Sequence, residues 1–190
     1  MTRIVRLRPR DVRVADLLGA LGVAALLVAG TAATERRVAQ TWDARLLARA
    51  APSVAAGATV PDGLLGRLDV PRLGLSVPVR EGVDAATLDV AVGHLPGSAP
   101  PGSDGNAALA GHRDSDFRPL RHVRVGDEIL FTSPSGETRY RVAWTRVVRP
   151  DRVDVVRPVR GQAELTLVTC YPFGYVGRAP MRFVVRALRV

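Results

Sequence analysis

The chain has one cysteine, Cys170, and no lysine among its 190 residues. A single cysteine excludes an intramolecular disulfide, so a domain outside the cytoplasm must be stabilised by packing alone. The absence of lysine excludes a lysine nucleophile, a Schiff base and an internal lysine as amine acceptor. All 27 basic residues are therefore arginine, and the formal net charge is +9.

Aromatic residues are scarce as well, with three tyrosines, two tryptophans and four phenylalanines. Few side chains are thus available for base stacking, and the arginines are spread among predicted strands and loops, so we predict no nucleic-acid partner. An anionic membrane or cell-wall polymer accounts for the charge equally well. The sequence has no internal repeat and no glycine-rich phosphate-binding loop, and we predict no cofactor.

One long apolar run lies near the N-terminus. Residues 1–13 carry five arginines and one aspartate, and residues 17–34 contain no charge. This pattern predicts a membrane anchor over residues 14–34 that crosses once, with the basic segment 1–13 in the cytoplasm and the rest of the chain outside. A cleaved signal peptide is the alternative, because the small residues 30–33 suit a cleavage site.

Residues 35–62 are predicted to connect the anchor with a folded domain. Apolar side chains recur every four residues from Val38 to Ala50, Trp42 among them, and predict an amphipathic helix that continues from the membrane. The same pattern fits a helix docked on the following domain. The small and turn-rich residues 51–62 predict a linker.

Residues 63–190 have the pattern of a mainly β domain. Short alternating runs are broken by prolines, and residues 85–92 form the one plausible helix of its first part. Tyr140, Val142 and Trp144 alternate along one predicted strand, and we expect all three to face the core. Many short strands with little helix predict a closed β-barrel.

Cys170 follows the predicted strand 164–169, and Pro172 and Gly174 prevent that strand from continuing far beyond it. A thiol at this place is held firmly on one side and is accessible on the other, which suits a nucleophile. Taken alone, a buried structural cysteine is the commoner role.

A cysteine nucleophile usually needs a histidine that generates or stabilises its thiolate. His112 directly follows the predicted small-residue strand 107–111 and opens a polar loop, so its position mirrors that of Cys170. His94 and His122 are the alternatives, although both fit structural or surface positions more easily.

An acyl-transfer site also needs a donor for the developing oxyanion. On the final predicted strand, Arg182 alternates with Met181 and Phe183 and should face outward while they face the core. Arg178, on the loop after the cysteine, is the other candidate. The pattern does not decide which of the two arginines is the oxyanion donor, and most arginines in such positions are simply solvated charges.

Two motifs among these residues resemble those of sortases. The stretch 166–170, Thr-Leu-Val-Thr-Cys, followed by Arg182, is similar to the signature of the family. The stretches 110–114 and 117–120, Ala-Gly-His-Arg-Asp and Phe-Arg-Pro-Leu, resemble its histidine segment, particularly in class D. Weaker similarities at residues 66–71 and 91–97 extend the resemblance, which covers residues 65–190.

The resemblance implies an eight-stranded sortase-type β-barrel with short helices over residues 63–190, preceded by the membrane-anchor helix. It implies that Cys170 is the nucleophile, that His112 transfers protons, and that Arg182, rather than Arg178, holds the substrate and stabilises the oxyanion. The implied activity is that of a membrane-anchored cysteine transpeptidase at the outer face of the cell membrane.

The implied partners are substrate proteins with an LPxTG-like C-terminal sorting signal, the membrane, and an amine acceptor such as a peptidoglycan precursor or a pilin. The enzyme would cleave the signal through a thioacyl intermediate and transfer the substrate protein to that amine. A Cys/His hydrolase of envelope peptides and a non-catalytic, membrane-tethered β-barrel binding module are the alternatives.

Two residues depart from the family pattern. Asp116 stands where an aromatic or small residue is usual, and Arg178 adds a charge beside the expected cleft, so both are expected to affect substrate preference. Asp114 and Asp116 are too few to form a calcium site, and we predict a turn or a helix cap for them.

Overall fold

The computed structural model describes residues 63–158 and 161–190, together with six single helical positions between residues 18 and 41. In chain order the regular elements are β1 (Leu64–Val70), β2 (Leu75–Glu81), α1 (Ala85–Val90), β3 (Val92–His94), β4 (Gly105–Ala110), β5 (Glu128–Ser133), β6 (Gly136–Val148), β7 (Ala163–Tyr171) and β8 (Met181–Arg189). Short 3-10 helices span Pro71–Leu73, Arg118–His122 and Val153–Val156.

The eight strands close into a barrel in the order β1, β2, β3, β4, β7, β8, β6, β5. The β2–β3 and β4–β7 pairs are parallel, and the other pairs are antiparallel. The sequence-based prediction of a mainly β, closed eight-stranded barrel with short helices is therefore confirmed. The predicted helix at 85–92 is observed as α1, which ends at Val90 because the chain enters β3 two residues later.

Strand β7 divides the barrel interior from the surface that carries the site. Leu165 and Leu167 are fully buried in the hydrophobic core, where each contributes about 1.5–3 kcal/mol of burial free energy. Because side chains alternate along a strand, Val168 and Cys170 lie on the opposite, outer face. Both are only partly buried.

The prediction for Trp144 is wrong. Tyr140 and Val142 belong to the core, but the register between β6 and β8 shifts between Val142 and Trp144. This β-bulge pairs Val142 with Ala187 and Trp144 with Arg186, so the indole moves to the outer face of the barrel. A strict alternation of two cannot reveal such a bulge.

The predicted cytoplasmic segment (1–13), anchor (14–34), and stalk and linker (35–62) lie outside the described residues, apart from the six single positions, and stay predictions. Within the part of the chain that the structure describes, no helix combines the length and apolar character that crossing a bilayer requires.

A bidentate ion pair ties the segment after Arg118–His122 to the turn after β1. Arg72 donates to both carboxylate oxygens of Asp127, at 2.5 and 2.6 Å, and its Nη2 also donates to the carbonyl of His122. The backbone N–H of Arg124 donates to the same carboxylate at 2.8 Å. The hydrogen bond from Arg72, aided by that from Arg124, lowers the pKa of Asp127 below its ordinary value.

We predict that Asp127→Asn lowers the free energy of unfolding at pH 7. A carboxyl group whose pKa is depressed in the folded state stabilises the fold above its unfolded-state pKa, and this contribution is lost as the pH falls through the folded-state pKa. The gap between wild type and variant, measured by chemical denaturation from pH 7 to pH 2, should therefore close below about pH 4.

The control is Asp151→Asn, which breaks the exposed ion pair between Arg149 and Asp151. Its effect at pH 7 should stay within about 1 kcal/mol. A constant gap between wild type and Asp127→Asn at all pH values would contradict the assignment.

Candidate active site

Cys170 and Arg182 lie directly opposite each other in the antiparallel pair of β7 and β8. Residues at opposite positions project from the same face, with Cβ atoms about 4.5–5.5 Å apart. The strand continues two residues beyond the predicted stretch 164–169, to Tyr171, because Cys170 and Tyr171 still pair with β8. The thiol therefore projects from the end of a paired strand, and Cys170 is a free, partly exposed cysteine.

His112 reaches the same place through the parallel pair of β4 and β7. Ala110 pairs with Val168, and the N–H of Gly111 donates to the carbonyl of Val168 at 3.2 Å. The hydroxyl of Thr169 donates to the carbonyl of Gly111 at 2.7 Å. These bonds extend the register past the end of β4 and bring His112 level with Cys170.

An open cavity of about 230 Å³ brings the three predicted site residues together; it is lined by His112, Arg113, Asp114, Cys170, Gly177, Arg178, Ala179 and Arg182. The other histidines lie elsewhere. His94 is buried, with Nδ1 2.7 Å from a Glu81 carboxylate oxygen, and His122 is exposed in a 3-10 helix. Geometry thus favours His112 over both alternatives, and its catalytic role stays a prediction.

A carboxylate faces the His112 imidazole from α1. Nε2 of His112 lies 4.0 Å from Oδ1 of Asp89, and both side chains are substantially exposed. The two groups form an ion pair whenever the imidazole is protonated. Asp89 was not predicted from the sequence, because nothing in the local pattern of α1 relates it to a histidine more than twenty residues later.

Two arginines of the cavity donate to backbone carbonyls in the β7–β8 loop and at the start of β8. Arg182 donates through Nη1 to the carbonyls of Met181 and Ala179, at 2.9 and 3.3 Å. Arg113 donates through Nη2 to the carbonyls of Tyr175 and Gly177, at 2.6 and 2.9 Å. Arg113 is not among the residues predicted for the site, and its position next to His112 is the one signal in the sequence that could have indicated it.

Arg178 differs from these two arginines. It lines the same cavity, is exposed, and makes no hydrogen bond or ion pair with another residue in the described part of the chain. Its guanidinium is available to a ligand. The cavity alone does not discriminate between Arg178 and Arg182, but the cross-strand register places Arg182 beside the thiol.

An apolar groove of about 180 Å³ lies next to this cavity, and Arg182 lines both. Its floor includes Ala108, Val168 and Val184 from three adjacent strands, and its wall is the segment Val153–Val156. This groove was not predicted from the sequence, because the connection between β6 and β7 carries alternating arginines and aspartates and resembles an ordinary surface loop.

The chemistry available here is that of a thiol, an imidazole and guanidinium groups. Among residues 63–158 and 161–190, no three His, Cys, Asp or Glu side chains come together as metal ligands. Asp114 and Asp116 both lie in the turn before Arg118–His122, and Asp116 is buried. The expectation of a turn position for these two aspartates agrees with the structure.

Gly111 is required because the buried ring of Phe117 packs against its backbone. A Cβ atom at this position would lie 2.9 Å from Cδ2 of Phe117. We predict that Gly111→Ala destabilises the protein by about 1–3 kcal/mol, the usual cost of overpacking, and displaces the neighbouring His112. Urea denaturation measures the cost.

The matched control is Gly174→Ala in the β7–β8 loop, where an added Cβ meets no atom within 4 Å. Its effect should stay within about 0.5 kcal/mol. Equal stability of Gly111→Ala and wild type would show that the histidine loop is not held by this contact.

Comparisons with known proteins match the barrel. The family model described as Sortase domain matches residues 68–190. Sortase D of Bacillus subtilis (strain 168) is 37% identical over 125 residues, which cover 66% of this chain and 63% of the relative. The chain thus spans less than two thirds of the length of that relative. Sortase A from Streptococcus agalactiae serotype III is 27% identical over 115 residues, which cover 56% of this chain and 47% of the relative.

Solved structures of sortases have the same fold. The crystal structure of sortase C1 from Streptococcus agalactiae superposes with a TM-score of 0.64 at 32% identity, covering 70% of each chain. The structure of the Clostridium perfringens sortase D5 transpeptidase has a TM-score of 0.67 at 24% identity and covers 82% of this chain and 98% of its own.

The match to the family model includes Cys170, His112 and Arg182. The resemblance to sortases noted from the two motifs is confirmed, and the sortase D match agrees with their class D character. The chain belongs to the sortase family.

Proposed function

We propose that this protein is a cysteine transpeptidase that cleaves an LPxTG-like C-terminal sorting signal and transfers the substrate protein to an amine. The observation that carries the proposal is the single cavity lined by Cys170, His112 and Arg182 at the end of an apolar groove. This arrangement supplies a nucleophile, a proton carrier and an oxyanion donor, which are the groups that acyl transfer requires.

In the first step the thiolate of Cys170 attacks the carbonyl carbon of the scissile peptide bond. The carbonyl oxygen becomes an oxyanion, and the Arg182 guanidinium across the β7–β8 pair stabilises it. Nη1 of Arg182 donates to the carbonyls of Ala179 and Met181, so the remaining N–H groups have a fixed orientation for the substrate.

In the second step the carbon–nitrogen bond breaks, and the imidazolium of His112 donates a proton to the departing amine. A thioester now joins the substrate to Cys170. Neutral His112 then takes a proton from the incoming amine, which attacks the thioester and releases the thiolate. The Asp89 carboxylate, 4.0 Å from Nε2, would stabilise the protonated form of His112 in this exchange.

The apolar groove fits the residues of the sorting signal that precede the scissile bond. It is lined largely by valine and alanine side chains and reaches Arg182. A leucine and a proline of the signal would therefore be buried in it, with the scissile carbonyl placed at the polar cavity. Arg178 lies at the rim of that cavity and would affect preference among peptides rather than the rate of bond cleavage.

The partners follow from this activity. The predicted anchor over residues 14–34 would hold the enzyme at the outer face of the cell membrane, where secreted proteins with a C-terminal signal pass. The acceptor would be an amine such as that of a peptidoglycan precursor or a pilin. Hydrolysis is the competing outcome, because the His112 side chain is 46% exposed and water therefore reaches the thioester.

We predict that Cys170→Ala abolishes cleavage of a sorting-signal peptide and that Arg182→Ala lowers kcat/KM about 100- to 1,000-fold, the usual effect of removing an oxyanion donor. Arg178→Ala is the matched control, because it removes the same charge from the same cavity. It should keep most of the activity on an uncharged peptide. Chromatography of the released C-terminal fragment, with and without an added amine, gives the rates.

Wild-type activity in Cys170→Ala would rule out the proposed nucleophile. A larger loss in Arg178→Ala than in Arg182→Ala would instead reverse the roles of the two arginines. Binding of the peptide without any cleavage by the wild-type protein would favour a binding module.

A further inference from the structure

Two charged side chains are buried on the outer face of the barrel, away from the thiol. Arg186 on β8 and Glu164 on β7 have side chains that are 6% and 4% exposed, and they form an ion pair through Nη1 and Oε2. Isolated charges are costly to bury, and even a buried pair adds little to stability compared with apolar residues of similar size. A contribution to stability alone therefore does not account for this pair.

The pair is buried because the connection between β6 and β7 covers it. Nη2 of Arg186 donates to the carbonyl of Val155 at 2.6 Å. The Asn106 amide on β4 donates to the carbonyls of Val156 and Arg157, at 2.8 and 3.4 Å. The Thr166 hydroxyl donates to the Asn106 side-chain oxygen at 2.7 Å and fixes the orientation of the amide.

These hydrogen bonds attach the connection to the barrel. The remaining hydrogen bonds of residues 149–157 in the described chain join residues of this segment to one another, as between Arg152 and Asp154. The ring of Trp144, which the β-bulge places on the outer face, lies 5.4 Å from the Arg186 guanidinium and supports it from the side.

The same connection forms the wall of the apolar groove. Val153, Val155 and Val156 line the groove, which ends at Arg182. Their backbone carbonyls at 155 and 156 accept hydrogen bonds from the buried network, while their side chains contribute to the groove. The network and the groove wall are therefore parts of one structural unit.

We propose that Arg186, together with Glu164 and Asn106, positions the wall of the apolar groove and so sets the affinity of the enzyme for its peptide. Arg186 is a positioning residue: it does not line the groove or the cavity that holds the thiol. The effect of Arg186 on peptide affinity rests on the proposed function, in which the groove binds the peptide. Its effect on the position of the wall does not depend on that function.

The test removes both members of the ion pair at once, in the double variant Glu164→Leu/Arg186→Met, so that neither of the two is left buried without the other. We expect KM for the peptide to rise about tenfold, because the charged hydrogen bond from Arg186 to the Val155 carbonyl, one of the attachments of the wall, is lost, with kcat changed less than about twofold. Hydrogen–deuterium exchange of the amides of residues 152–157 should become faster. Alkylation of Cys170 by iodoacetamide should keep the wild-type rate.

The matched control is Glu137→Leu/Arg139→Met, which removes an exposed pair of the same residue types from β6. It should leave KM and exchange at residues 152–157 unchanged. If the double variant fails to fold, Arg186→Lys keeps a cation beside Glu164 while losing the rigid second nitrogen that reaches Val155. It should show the same changes to a smaller degree.

Unchanged exchange at residues 152–157 in a folded variant would overturn the network as the support of the wall. Faster exchange with an unchanged KM, or a fall in kcat alone, would overturn its role in peptide affinity. Faster exchange in the variant while the wild-type protein cleaves no peptide would support the network and contradict the proposed function, so the two failures are distinguishable.

Discussion

The site depends on the two pairings of β7. This strand pairs in parallel with β4 on one side and antiparallel with β8 on the other. The first pairing brings the chain after β4 level with the thiol, and the second places a guanidinium opposite it. The backbone hydrogen bonds of these two strand pairs thereby bring a histidine, a cysteine and an arginine together at one place. Sites built on paired strands are held more firmly than sites built on loops alone.

The two faces of β7 serve different purposes. The inner face packs Leu165 and Leu167 into the core and supplies hydrophobic stabilisation. The outer face carries Glu164, then Thr166, then Val168 and finally Cys170, so that a buried ion pair, the floor of the groove and the thiol follow one another. One alternating strand therefore organises the fold inside and the chemistry outside.

Local sequence patterns are sufficient to predict that Cys170 and His112 lie at strand ends. The apolar strand before Cys170 and the small-residue strand before His112 are local patterns, and both placements at strand ends follow from them. The choice of Arg182 over Arg178 is not local. It depends on the register between β7 and β8, and before the structure only the family resemblance favoured it.

The β-bulge at Trp144 and the wall of the groove cannot be predicted from the alternation of apolar and polar residues. The bulge that turns Trp144 outward inserts one residue into a regular pattern, and alternation alone predicted the opposite face. The groove wall depends on hydrogen bonds from Arg186 and Asn106 to carbonyls about 30 and 50 residues away. In such contacts the acceptor is a backbone carbonyl, which every residue has, so the residue type at the acceptor position does not indicate the hydrogen bond.

The central claim is that the thiol of Cys170 carries the substrate as a thioester and passes it to an amine. Intact-mass spectrometry of the purified protein with a sorting-signal peptide tests this claim directly. We predict an acyl adduct that maps to Cys170 and disappears when an amine is added, with formation of the peptide–amine product. An adduct on another residue, or the absence of any adduct while the peptide is cleaved, would contradict it.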